Sequence, residues 1–102
     1  MIEIDSKRIE VIVNGKHIKL NPKEFGVLKL LKAADGHVLT REKIFSKVWG
    51  YDKHEIHVLK NHTRKIDTCI SKLRRKISKV HRASADRIVT VPKAGYKLVR
   101  KV

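Results

Sequence analysis

The amino-acid sequence predicts a single α+β domain with an N-terminal antiparallel sheet, three helices and a C-terminal β-hairpin. Three observations carry this reading. Alternating apolar residues flank Asn14-Gly15, the dipeptide best suited to the positive φ angles of a tight hairpin turn. Three later segments repeat apolar residues at helical spacing, two of them behind good N-caps. Two short apolar runs then flank Pro92-Lys93-Ala94-Gly95. A chain of 102 residues is one domain with a small core, divided into sheet (1–20), helical core (21–82) and hairpin (87–102).

Ile2 and Ile4 alternate with acids, Ile9, Val11 and Val13 alternate along a second strand, and His17 to Leu20 form the return strand. Asn21-Pro22-Lys23-Glu24 announces the first helix: Asn21 can cap, Pro22 suits the first helical position, and Glu24 can complete a capping box. Phe25, Val27, Leu28, Leu30 and Leu31 give it a broad apolar stripe, and Asp35-Gly36 ends it. Thr40 caps a second helix carrying Ile44, Phe45, Val48 and Trp49, and Gly50 stops it. Tyr51 to His62 has weak periodicity and reads as a loop with at most a short helical turn.

The third helix spans about 62–80. Ile66, Ile70, Leu73, Ile77 and Val80 recur at steps of four and three and so share one side. Lys65, Thr68, Lys72, Arg75 and Lys79 fall opposite, flanked by Arg64 and Ser71, while Arg74 lies toward the seam beside Asp67. Six of the fourteen residues from 64 to 77 are Lys or Arg, and Asp67 is the helix's only acid. A helix that needed only solubility would mix in acids at i,i+4. Ile88–Val91 and Tyr96–Val99 then read as the two strands of a hairpin with a basic tip.

Charge follows the same division. The formal net charge is +15; residues 1–59 contribute +3, and residues 60–102, with Asp67 and Asp86 as their only acids, contribute +12. A polyanion is therefore the expected partner, at the C-terminal part. The single Cys69 excludes an intrachain disulfide, and no apolar run reaches membrane-spanning length. The opening MIEIDSKRIEV does not resemble a signal peptide, so a cytoplasmic protein without membrane attachment is expected.

In this order the elements make a winged helix-turn-helix. Its third helix is expected in the major groove of double-stranded DNA, where Lys and Arg donate to guanine edges or phosphates and Ser and Thr allow close approach. The wing tip, 92–95, is expected on the backbone or in the minor groove. The competing readings are a nonspecific basic RNA- or nucleoid-binding protein and a module docking on an acidic protein. Five aromatic residues, most at apolar-seam positions, leave few stacking platforms for single-stranded RNA.

NPKEFGVLKLL (21–31), VLTREKIFSKVWGYD (38–52), IDTCISKLRRKI (66–77) and TVPKAGYKL (90–98) together resemble the winged-helix effector domain of OmpR/PhoB-type response regulators. The likeness runs in order through nearly the whole chain. It implies sequence-specific promoter binding by transcription regulators, two copies head to tail on direct repeats, and a loop at 51–63 facing RNA polymerase. Carried over by position, recognition-helix contacts fall on Arg64, Lys65, Thr68, Cys69, Ser71, Lys72 and Arg74, and backbone-contacting aromatics on Trp49 and Tyr96. Lys72 and Ser71 are expected at bases; Arg64, Lys65, Arg74 and Arg75 are expected at phosphates. The chain departs from the family in three ways. Pro92-Lys93 replaces an Arg-Gly pair, making Lys93 the wing cation. The 51–63 loop is several residues longer than usual. The phosphoacceptor receiver domain is absent from these residues.

No cofactor or metal is expected. His54, His57 and His62, with Cys69 farther on, match no strong zinc-ligand spacing and read as loop histidines. An enzyme is not expected either: the ten acids are scattered, and no glycine-rich phosphate loop precedes a helix.

Overall fold

The computed structural model describes residues 2–50 and 62–100. Strands β1 (Ile2–Asp5), β2 (Glu10–Val13) and β3 (Lys16–Lys19) form an antiparallel sheet in that order. Asn14 (φ 52°) and Gly15 (φ 79°) both take positive φ between the paired Val13 and Lys16, as a two-residue type I′ hairpin requires. Ile2 opposes Val13 and Ile4 opposes Val11, which places the apolar side chains on one face. Ile2, Val11 and Val13 are buried there.

Helix α1 (Pro22–Ala33) begins with the expected reciprocal cap. The Glu24 N–H donates to Asn21 Oδ1 at 2.8 Å, and the Asn21 N–H donates to Glu24 Oε1 at 3.0 Å. Helix α2 (Arg41–Trp49) is capped by Thr40, whose hydroxyl oxygen accepts from the Lys43 N–H at 3.1 Å. Helix α3 (His62–Ser78) packs across both α1 and α2. Its seam residues Ile66, Ile70, Leu73 and Ile77 join Val27, Leu28 and Leu31 of α1 and Ile44 of α2, all with zero exposure, in one core. Val80 packs only partly against it.

Two boundaries differ from expectation. The N–H groups of Val80 and His81 both donate to the Ile77 carbonyl, at 3.0 and 2.9 Å, turning the chain two residues earlier than the apolar repeat suggested. A further four-residue helix among the described residues, α4 (Arg82–Ala85), follows; it is too short to leave a periodic signal. The hairpin strands are β4 (Ile88–Val91) and β5 (Gly95–Leu98), so Gly95 belongs to the strand and not to the turn. It opposes Val91, and a Cβ there would stand 2.0 Å from the Leu39 carbonyl oxygen. Glycine is required by that approach. Leu39 and Tyr96 exchange backbone hydrogen bonds at 2.8 and 3.0 Å, tying the segment before α2 to the wing. The loop expected from Tyr51 to His62 falls, apart from the first helical residue, outside the described residues.

Candidate nucleic-acid interface

The burial of the α3 seam decides what its opposite side offers. Arg64, Lys65, Thr68, Ser71, Lys72, Arg75 and Lys79 are all exposed. None of the five cations among them forms an ion pair with a described residue. A row of like charges on one helix face is costly through mutual repulsion and favours an anion that covers it. Between α3 and the ends of α1 and α2 lies a groove of about 440 Å³ whose lining includes Lys23, Trp49, Lys65, Thr68 and Lys72. A second hollow of about 610 Å³, bordered by Ser71, Arg75 and Arg82, continues along α3 toward β4.

Trp49 is half-buried at the first groove. It stacks on Phe45 with ring centroids 5.2 Å apart, and Lys23 Nζ lies 5.4 Å from its ring. Lys23 also donates to the Val48 carbonyl at 3.2 Å. Sequence reasoning passed over Lys23, although a cation in a first helical turn opposes the helix dipole and so marks a position with another task.

Arg74 and Tyr96 are placed differently from the rest. Arg74 Nε and Nη2 donate to the Ile88 carbonyl at 3.1 and 2.8 Å, and Nη2 donates to Thr90 Oγ1 at 2.8 Å. Tyr96 is buried. The Arg41 and Arg74 guanidiniums both lie against its ring, 4.9 and 5.6 Å from the centroid, and its hydroxyl donates to Asp67. Arg41 Nε donates to the same carboxylate at 2.9 Å. Together the four side chains join α2, α3 and β5, with Arg74 adding β4.

The network orders its own charges. Burial pushes the Asp67 carboxyl upward, but the hydrogen bonds from Tyr96 and Arg41 outweigh it and hold the group below the ordinary carboxylate value. Burial, reinforced by Asp67, raises the Tyr96 phenol. The hydrogen bond to Asp67 raises Arg41 further, so the guanidinium stays charged. Arg41 was not singled out from sequence. The available signal was Asp67 itself, a lone acid on a helix whose neighbours are cations, which demands a partner.

Cys69 is buried at the edge of the seam, not displayed on the outer face. Burial, assisted by the negative charge of Glu24, pushes its thiol up to about 11. Glu24 is 1% exposed, and besides its cap it accepts from Lys76 Nζ at 2.6 Å, strapping α1 to α3. Lys76 is thereby withdrawn from the cationic row. At the wing, Lys93 is exposed with φ 64° after Pro92, and the Ala94 N–H donates to the Val91 carbonyl at 3.0 Å. This is a type II-like turn, and its third position favours glycine. His54 and His57, and the side chain of His62, lie outside the description.

An antiparallel sheet, a three-helix core presenting a cationic third helix, and a hairpin beside that helix define the winged helix-turn-helix class. The chain's residues 15–98 match the family model described as "Transcriptional regulatory protein, C terminal", and the protein belongs to this family, the OmpR/PhoB type. The transcriptional regulatory protein KdpE of Staphylococcus aureus is 34% identical over 101 residues, covering 98% of this chain and 41% of its own. ResD of Bacillus subtilis is 34% identical over 96 residues, covering 94% and 38%. The chain thus spans about two fifths of the length of these relatives. Among solved structures, the DNA-binding domain of CpxR from E. coli superposes with a TM-score of 0.78 at 28% identity, covering 99% of this chain and 92% of that one. The AdeR DNA-binding domain, solved in complex with an intercistronic region, has a TM-score of 0.77 at 23% identity, covering 96% and 93%. At that identity the likeness is one of fold.

Proposed function

We propose that this domain binds double-stranded DNA sequence-specifically as the DNA-reading part of a cytoplasmic transcription regulator. The observation that carries this reading is the cationic row Arg64, Lys65, Lys72, Arg75 and Lys79 on the exposed face of α3, which makes no ion pair among the described residues. α3 enters the major groove. There Lys72 and Ser71 meet base edges, with Thr68 close beside them, while Arg64, Lys65, Arg75 and Lys79 hold phosphates. Trp49 approaches the backbone at the groove it shares with Lys23, and the wing reaches the backbone or minor groove through Lys93. The position of Lys93 supports this: it is exposed at the tip of the hairpin turn, with φ 64°. Arg74 and Tyr96 act indirectly, fixing the wing against α3. AdeR, whose domain shares this fold, was captured with an intercistronic region. Two copies on a promoter's direct repeats are part of the same proposal. No helix among the described residues is long and apolar enough to cross a membrane.

The test is selection of bound sites from a random duplex pool at near-physiological salt. The expected winner contains a repeated half-site and binds at least about a thousandfold more tightly than scrambled duplex. Equal affinity for the winner, scrambled duplex and single-stranded RNA would replace this reading with nonspecific electrostatic binding. A second readout, the order of assembly on one and two half-sites, tests the paired arrangement. Polymerase contact by residues 51–63 is tested separately, by comparing transcription from the selected site with and without substitutions there.

A further inference from the structure

The outward face of the N-terminal sheet holds a group of side chains that DNA binding leaves unused. Asp5 on β1 stands directly opposite Glu10 on β2. Like charges in that register destabilise a strand pair, and a chain with only ten acids has no general need to place two together. Glu10 is also buried, its side chain 9% exposed. Its one polar partner among the described residues is Nδ1 of His17 on β3, at 3.1 Å, and that imidazole is half-exposed. Lys19, which opposes Glu10 across β2 and β3, makes no ion pair with it. A buried carboxylate beside a second carboxylate, with one imidazole for company, is an undercompensated anionic site.

The geometry points to a cation. Asp5, Glu10 and His17 each offer one donor atom, and the three atoms lie within 4.8 Å of one another. Zinc bonds to His nitrogen and carboxylate oxygen are about 2.0–2.1 Å, so tetrahedral ligand atoms stand roughly 3.3 Å apart. Glu10 Oε1 and His17 Nδ1 already have nearly that separation. Asp5 offers its donor atom within the same 4.8 Å, and the N–H groups of Lys7 and Arg8 donate to its Oδ1 at 3.1 and 3.2 Å. Such outer contacts aim a ligand at its ion. Two carboxylates and a neutral imidazole balance a divalent charge, and the mixed oxygen–nitrogen set suits a borderline first-row ion over magnesium or calcium.

We propose that Asp5, Glu10 and His17 form a binding site for Zn²⁺ or a similar first-row divalent ion. One ligand comes from each strand, water completes the coordination, and the ion clamps the three-stranded sheet. The site includes none of the residues assigned to DNA, so either reading can fail alone.

The test is calorimetric titration of chelator-stripped protein with ZnCl2, paralleled by Co²⁺ absorption spectroscopy and thermal unfolding. The expected result is one ion per chain, visible-region cobalt bands and a Tm that rises with zinc concentration. Even outer-contact losses cost about 10–100-fold in metal affinity, so His17→Gln and Asp5→Asn should each weaken binding by at least about tenfold. Unchanged circular dichroism would show that these variants fold. His17→Gln carries the test if Glu10→Gln does not fold, because His17 is half-exposed. A triple variant, His54→Ala/His57→Ala/His62→Ala, should retain the site. Absence of binding at millimolar zinc, undiminished binding by His17→Gln, or loss of binding in the triple variant would each overturn the proposal.

Discussion

Replacing Arg74 by alanine removes three hydrogen bonds between α3 and the hairpin, two to the Ile88 carbonyl and one to Thr90 Oγ1. Hydrogen bonds from a charged donor contribute about 1.5–3 kcal/mol where water cannot replace them. The contact with Thr90 is exposed and so counts for little. The two to Ile88 share one acceptor and count as roughly one bond. The cation–π contact with the buried Tyr96 ring adds about 0.5–1 kcal/mol at most. The expected loss is therefore about 2 kcal/mol, equivalent to roughly 8–16 °C in Tm for a domain of this size. Urea unfolding measures the stability, and the slope of log K against log salt measures DNA contact. A phosphate contact would lower that slope by about one counterion unit, whereas a guanidinium committed to the wing leaves it unchanged. A stability loss below about 0.5 kcal/mol, together with a slope reduced by one unit, would refute the structural assignment and restore Arg74 to the DNA-facing surface.

Lys72→Ala should weaken binding to the selected site by about 1–3 kcal/mol relative to random duplex; equal losses in competition assays would make Lys72 a phosphate contact. Gly95→Ala should abolish a folded wing, since the new Cβ would meet the Leu39 carbonyl oxygen at 2.0 Å; a near-wild-type Tm would mean that the α2 approach to the wing is wrong. The stabilisation from the depressed Asp67 carboxyl is present above the ordinary value of 3.8 and is lost as pH falls through its lower folded value. The stability gap between wild type and Asp67→Asn should accordingly narrow below about pH 4, and a gap constant from pH 7 to pH 3 would contradict the network. With its thiol raised from 9.0 to about 11, Cys69 should react with iodoacetamide at pH 8 roughly a hundredfold more slowly than in the unfolded chain; equal rates would place it on the outer surface.

Local physics was legible without coordinates because it depends on neighbours in sequence. Asn14-Gly15 dictates its turn through positive φ, Asn21 and Thr40 satisfy orphan N–H groups at helix starts, and Ile66, Ile70, Leu73 and Ile77 align because helical pitch aligns them. The same pitch turns Lys65, Thr68, Lys72 and Arg75 outward, so most of the candidate interface was readable as well. What tertiary structure alone decided involves partners far apart in the chain. Arg74 looks like another helix cation until β4 supplies the Ile88 carbonyl, fourteen residues away. Tyr96 looks like a surface aromatic until the close pairing with Leu39 draws it inward, and Cys69 looks like one more recognition contact until packing buries it at the seam's edge. Asp5, Glu10 and His17 follow no metal-binding spacing, because strand register, not sequence separation, brings them together. A helix wheel states which way a side chain points, but only packing states what it meets there, and a long cation will turn from solvent toward an unsatisfied carbonyl or carboxylate within its reach.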